Sequence, residues 1–281
     1  MENNQNLPEE QVQELEVVQI NSTEALAALN KAEVDVQIAT AKAYPRNLSN
    51  VLRDIETLAT IDEETAQSCF YILRRQGKII EGPSVRMAEI IASSWGNIRV
   101  QSRIIGNDGK MITAQGQCID LEKNVAFSSE VKRRITDKYG KTFSDDMQVV
   151  TGNAACAIAM RNAVMKVVPS ALIKKVMGKV KQVSLGESLT LEQQRANMLA
   201  YYQKIGVEQQ VLFDYLSISK AEEINTDMLI ELRGTATAIK EGTTTVQETF
   251  FPKPETPINT EIVDPEKDLF GDSKKKKEDK K

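Results

Sequence analysis

The 281-residue chain contains no histidine. That absence excludes every mechanism built on an imidazole: Ser-His-Asp and Cys-His nucleophilic catalysis, His-ligated zinc, and a histidine general base. Cysteine is scarce as well. Cys69, Cys118 and Cys156 are widely spaced and form no C-x-x-C, so they read as buried thiols in a reducing compartment and not as a disulfide framework. Long apolar runs are missing too: nothing approaches the roughly 18 residues that a membrane span requires. Residues 1–10 are polar and acidic, without the basic and then apolar character of a secretion signal. The expectation is a soluble protein of the cytoplasm with no membrane contact.

What is present is ordinary globular composition, 41% apolar and 27% charged with 14 Gly and 8 Pro, enough for one sizeable domain and something smaller. The net charge of −4 averages over unlike parts. Residues 1–45 carry −6, residues 46–182 carry +7 and residues 183–281 carry −5. A basic middle between acidic flanks permits a polyanionic partner, because local charge decides association.

Residues 1–21 lack a sustained apolar period and read as disordered. Leu26, Leu29, Val34 and Ile38 predict an Ala-rich helix ending before Pro45. A second helix is expected after Asp62, capped by its carboxylate and running through residues 69–73 to Gly77; a third opens at Gly82-Pro83-Ser84 and closes at Gly96. The period then changes to two. Residues 98–106, 111–120 and 125–134 each alternate apolar with polar, and Asn107-Asp108-Gly109-Lys110 and Glu122-Lys123-Asn124 supply the turns, so an antiparallel meander is predicted. Ser144, followed by Asp145 and Asp146, is expected to cap a long helix to about Val168. Its small residues, Ala154, Ala155, Cys156 and Ala157, suit close approach to the sheet, and Pro169 separates it from a basic continuation over 174–181. The fold class is therefore α+β: N-terminal helices, then a β-β-β-α core that buries one sheet face and leaves the other for water or a partner. A core over 22–182, a linker over 183–189, a small helical bundle over 190–250 and a disordered tail from 251 complete the expected organisation.

The polar face of the meander is the informative feature. Arg99, Arg103, Lys132 and Arg134 lie amid Gln101, Thr113, Gln115, Gln117 and Ser128, with Arg133 and Lys138 close by in sequence. Guanidinium and amide groups match phosphate oxygens and base edges without selecting a sequence. The plainer account, that this is the solvated side of a one-sided sheet, fits the same residues. Aromatics are missing from these positions, since Phe127 has the apolar parity, so backbone contact is expected over base stacking.

Other motifs carry less. Gly109-Lys110 and Gly77-Lys78 lack the G-x-x-x-x-G-K-[ST] spacing of a phosphate-binding loop, so no nucleotide cofactor is expected. Asp120 with Glu130-Val131-Lys132 loosely fits the D…(D/E)-x-K arrangement of metal-dependent nucleases, but Asp120 has the buried parity and the other two the opposite one. Trp95 at a helix end reads as a core anchor. Asp268-Leu269-Phe270 in the tail has the form of a short docking motif.

Three segments together resemble a known group. Residues 82–96, GPSVRMAEIIASSWG, resemble a stretch ahead of the sheet in phage recombination proteins. Residues 152–164 are similar to the G-S-A-x-x-Y-A-R-R-Y helix of Erf-type proteins, with Met160 and Val164 in place of tyrosines and Arg161 alone keeping the basic pair. Residues 229–250 resemble a C-terminal segment of the same proteins. The resemblance, over roughly residues 46–250, is to the superfamily of phage single-strand annealing proteins that includes Erf, RecT and lambda Beta. It implies an ATP-independent, non-enzymatic protein without cofactor or metal that forms homo-oligomeric rings or filaments in the host cytoplasm and pairs complementary single strands of DNA. It also implies that the helical module at 190–250 docks a partner such as a host single-strand binding protein or a phage exonuclease. The expected DNA contacts are Arg99, Arg103, Lys132, Arg133, Arg134 and Lys138, with Arg161 and Lys166 from the long helix. The rivals are a nuclease using Asp120, Glu130 and Lys132, and a non-enzymatic protein-binding adaptor.

Overall fold

A computed structural model describes residues 22–75, 78–137, 139–186 and 189–252. The expectations placed on residues 1–21, on Lys138 and on the tail beyond 252, Asp268-Leu269-Phe270 included, fall outside the described residues. Helix α1 (Ser22–Ala43) ends ahead of Pro45, as its periodicity predicts. Helix α2 (Leu48–Ala59) is not among the expected elements, although its signals are legible: the Asn47 side chain accepts from the Ser49 and Asn50 amides, and Val51, Ile55 and Ala59 recur every four residues on the buried side.

The helix expected from Asp62 to Gly77 is a correction. Asp62 does cap α3 (Glu63–Ser68), accepting from the Thr65 amide at 2.7 Å, but that helix stops after six residues. The chain continues as β1 (Phe70–Arg75), paired antiparallel with β2 (Lys78–Pro83). Aromatic and β-branched residues fit a pleated surface better than a helix, and here that preference prevails over the helical reading. Pro83 accordingly ends a strand. Ser84 caps the next helix, α4 (Val85–Trp95), by accepting from the Met87 amide at 3.1 Å. Gly96 follows at a φ of 63°, a value that suits glycine at a helix end.

The meander forms as expected. Strands β3 (Ile98–Asn107), β4 (Met111–Asp120) and β5 (Val125–Arg134) lie antiparallel in that order. At the first turn Gly109 has a φ of 80°, and Asn107 and Asp108 side chains accept from the Gly109, Lys110 and Met111 amides. Along β4 the buried residues alternate strictly: Ile112, Ala114, Gly116, Cys118 and Asp120. Helix α5 (Asp145–Val167) packs on that side. A Cβ on Gly116 would collide with the Ala159 carbonyl group and lie 2.5 Å from the Met160 amide nitrogen, so glycine sets how closely the helix approaches. Ser144 occupies the position before α5 but its side chain makes no capping bond.

Helix α6 (Ser170–Ser184) leaves α5 at 117°, across Val168 and Pro169. It runs into the segment expected to be a linker and packs on α2 and α3. Helices α7 (Leu191–Lys204), α8 (Gln209–Leu216), α9 (Thr226–Lys240) and α10 (Val246–Phe250) share a core of Tyr202, Leu212, Leu229 and Leu232, with the Tyr202 hydroxyl donating to the Leu232 carbonyl at 2.7 Å. These helices are not held apart from the rest. A Cβ on Gly234 of α9 would lie 2.6 Å from Ile72 of β1, Arg74 pairs with Glu231, and Arg233 donates to the Ser184 carbonyl. No single helix among the described residues is long and apolar enough to cross a membrane. Burial pushes the Cys69 thiol up to about 12 and Cys118 to about 11, so neither forms a thiolate near neutral pH.

Candidate nucleic-acid interface

In an antiparallel ladder directly opposed residues share a face. Gln115 stands opposite Arg103 on one side and Glu130 on the other; Gln117 lies between Gln101 and Ser128, and Thr113 opposite Lys132. Ile119 opposes Arg99, and Met111 opposes Arg134. The register thus gathers Arg99, Arg103, Lys132 and Arg134 onto the face that α5 does not cover, around a central stripe of amides. Gln101 donates to Gln117 at 2.6 Å and Arg103 donates to Gln115 at 3.3 Å, which fixes the stripe.

The four cations differ in availability. Arg99 is engaged at one corner by α1, donating to Gln37 at 3.2 Å and lying 3.9 Å from the Glu33 carboxylate. Lys132 and Arg134 are exposed and pair with no acid among the described residues. Glu130 sits on the same face and lowers its positive charge by one. Among the described residues no aromatic side chain of the three strands stands on this face, consistent with contact to phosphates and not with stacking.

Two of the expected residues do not lie on the open face. Arg133 cannot share the face of Lys132 and Arg134, because successive side chains of a strand point to opposite sides. It lies half-buried toward α5, where its guanidinium reaches the Thr243 carbonyl at 3.5 Å. Burial lowers its pKa, partly opposed by Glu248 and reinforced by Arg161 and Arg75. Arg161 is also withdrawn from the open face: it is 6% exposed, stacks at 4.6 Å over Tyr71 and lies 3.7 Å from Glu241. Lys166 is exposed, and its amine donates to the Ser128 carbonyl at 2.8 Å, which places it at the free edge of β5.

The nuclease constellation does not assemble. Asp120 is buried on the helix side at one end of β4, whereas Glu130 pairs opposite Gln115 and faces the other way with Lys132. Asp120 is instead fully used. Arg46 grips both its oxygens, at 2.6 and 3.0 Å, and the Glu122 and Lys123 amides donate to it. Burial pushes the Asp120 carboxyl up, but those bonds and the guanidinium charge outweigh it and hold the group below its ordinary value. Arg46 also stacks at 4.6 Å over Trp95, which is a buried core anchor as expected. Among the described residues no cluster of acids and cysteines could hold a metal ion.

Sequence reasoning passes over Arg46, a lone arginine after a proline, and the contact of Glu33 and Gln37 with Arg99. Neither has a local signal, because both are made across more than 60 residues. Comparison of the chain with protein-family models, with curated proteins and with solved structures finds no match.

Proposed function

We propose that this protein binds single-stranded DNA through the open face of its sheet and anneals it to a complementary strand without nucleotide hydrolysis. One observation carries the reading: the register sets Arg103, Lys132 and Arg134 on one uncovered face around Gln101, Gln115 and Gln117. Cations beside amides suit a phosphate backbone whose sequence is not read. Annealing requires no bond making or breaking by the protein. The face lowers the repulsion between two strands and leaves bases free, and correct pairing supplies the driving free energy. The resemblance to the Erf, RecT and lambda Beta superfamily supports the same reading and extends it to a phage protein of the bacterial cytoplasm. On this reading it works as a ring or filament, and its C-terminal helices dock a single-strand binding protein or an exonuclease.

The test mixes two complementary oligonucleotides with purified protein in a chelator and without nucleotide. Pairing faster than in the protein-free control, and lost with Lys132→Glu/Arg134→Glu, is the expected result. Binding without acceleration reduces the protein to a single-strand coat. No binding at low salt overturns the proposal in favour of an adaptor, and cleavage that appears only with magnesium would favour a nuclease.

A further inference from the structure

Resting on that reading, we infer that the bases of the bound strand are received not on the sheet face but in a groove that rounds the junction of α5 and α6. Two recesses, of about 500 and 530 Å³, open there on either side of Met165 and Ser170, which line both. The 117° turn between the helices creates them. Pockets of a few hundred Å³ hold small organic ligands, so each has room for about one nucleotide.

The first recess lies against β5. Val125 and Phe127 have the parity of the side that α5 covers, yet each stays 41% exposed and lines this recess. Lys123 and Lys166 stand at its margin. The second recess has an apolar floor of Tyr71, Ile173 and Met177 below Lys174. Arg161 lines its wall 94% buried, as its 6% exposure gives, with its Nη1 atom turned to the Glu241 carboxylate at 3.7 Å. Ser170 opens α6 at the margin between the two, after a Pro169 that supplies no side-chain cap.

The charge around the groove decides what fills it. Its two acids are already neutralised, Asp120 by Arg46 and Glu81 by Lys181. Lys123 and Lys174 pair with no acid among the described residues. An apolar wall with one exposed ring, flanked by unpaired cations at intervals, matches a single strand, which presents flat bases and a charged backbone together. The groove also joins the proposed phosphate face. Lys166 sits on the Ser128 carbonyl at the free edge of β5, and the Ser128 side chain belongs to the open face, so a strand leaving that face crosses one edge strand to enter the groove.

Two variants at Phe127 test this in the full chain, with oligonucleotide binding followed independently by anisotropy of a labelled oligothymidylate. Phe127→Trp places a reporter in the first recess, against the constant background of buried Trp95. Its added emission is expected to be quenched as the oligonucleotide saturates. Phe127→Leu keeps the apolar volume and removes the ring. It is expected to weaken binding about tenfold while leaving the salt dependence unchanged, since stacking releases no counterions. Oligonucleotide that binds both variants as it binds the wild type, with the tryptophan emission unmoved, overturns the groove and leaves the sheet reading standing. Emission that shifts with protein concentration alone assigns the recess to a second copy of the chain and also overturns it. Failure of every form to bind at low salt overturns the function itself, and the groove with it.

Discussion

The two faces of the β3–β4–β5 sheet are built from the same three strands and differ in every property that matters. On the α5 side the central strand presents Ile112, Ala114, Gly116 and Cys118, small enough for a helix backbone to rest on it. On the other side the same strand presents Thr113, Gln115 and Gln117, flanked by unpaired cations on β5. Apolar and small residues yield close packing and stability; charged and amide residues one position along yield a surface open to water. A period of two lets one stretch of chain do both.

The largest test of this contrast is a pair of neighbouring substitutions. Gly116→Val drives methyl groups into the Ala159 backbone, and a loss of about 3 kcal/mol is expected by urea unfolding. Gln117→Val, one residue along, should stay within about 0.5 kcal/mol of the wild type, as surface changes do. Equal losses at the two positions would show that the faces are not energetically distinct.

At the end of the helix side, Arg46→Met leaves the Asp120 carboxylate buried without its partner. A loss of about 3 kcal/mol is expected, and Arg46→Met/Asp120→Leu should recover much of it. A double variant no more stable than the single one would mean that packing against Trp95, not charge, is what Arg46 contributes.

On the open face the expected effect falls on binding and not on folding. Lys132→Glu/Arg134→Glu should leave the melting temperature close to that of the wild type and weaken oligonucleotide binding at least tenfold. The salt slope should drop by about 1.4, because two phosphates of the single strand are no longer neutralised. A changed melting temperature with unchanged affinity would reverse the assignment of the two faces.

The smallest expected effect is in acid. Asp120 is held below its ordinary value, so its contribution to stability is complete above the unfolded carboxyl value near 3.9 and is lost as pH falls through the lower folded value. Glu241, raised by burial despite the Val85 amide and Arg161, acts with the opposite sign: its contribution is complete below the unfolded value and is lost as pH rises through the higher folded value. Urea midpoints taken from pH 6 down to pH 3 should therefore fall less steeply in Asp120→Asn than in the wild type. Parallel slopes would remove Asp120 from the account.

Much of the architecture was legible in the chain because its signals are local. Alternation over 98–134, Gly109 in its turn, the Asp62 cap and the small residues of α5 each act within a few positions, and each is found where expected. Where two local readings competed, the outcome was less legible: residues 70–75 satisfy a helical period yet pair with 78–83, because a hairpin lets Ile72 meet Gly234 of α9. The candidate site was legible in part. Parity alone places Lys132 and Arg134 together, and it also forbids Arg133 from joining them.

Sequence by itself determined that one face of the sheet is apolar and the other basic, since side-chain parity along a strand needs no partner to define it. It also determined that no imidazole chemistry is available. Only the tertiary structure decided which charges remain free. Asp120 is taken by Arg46 from 74 residues away, Arg161 is sealed over Tyr71 and beside Glu241, and Arg99 is engaged by α1, while Lys132 and Arg134 are left to solvent. The physical reason is range: periodicity is set by neighbours in the chain, whereas desolvation and ion pairing depend on groups brought close by folding.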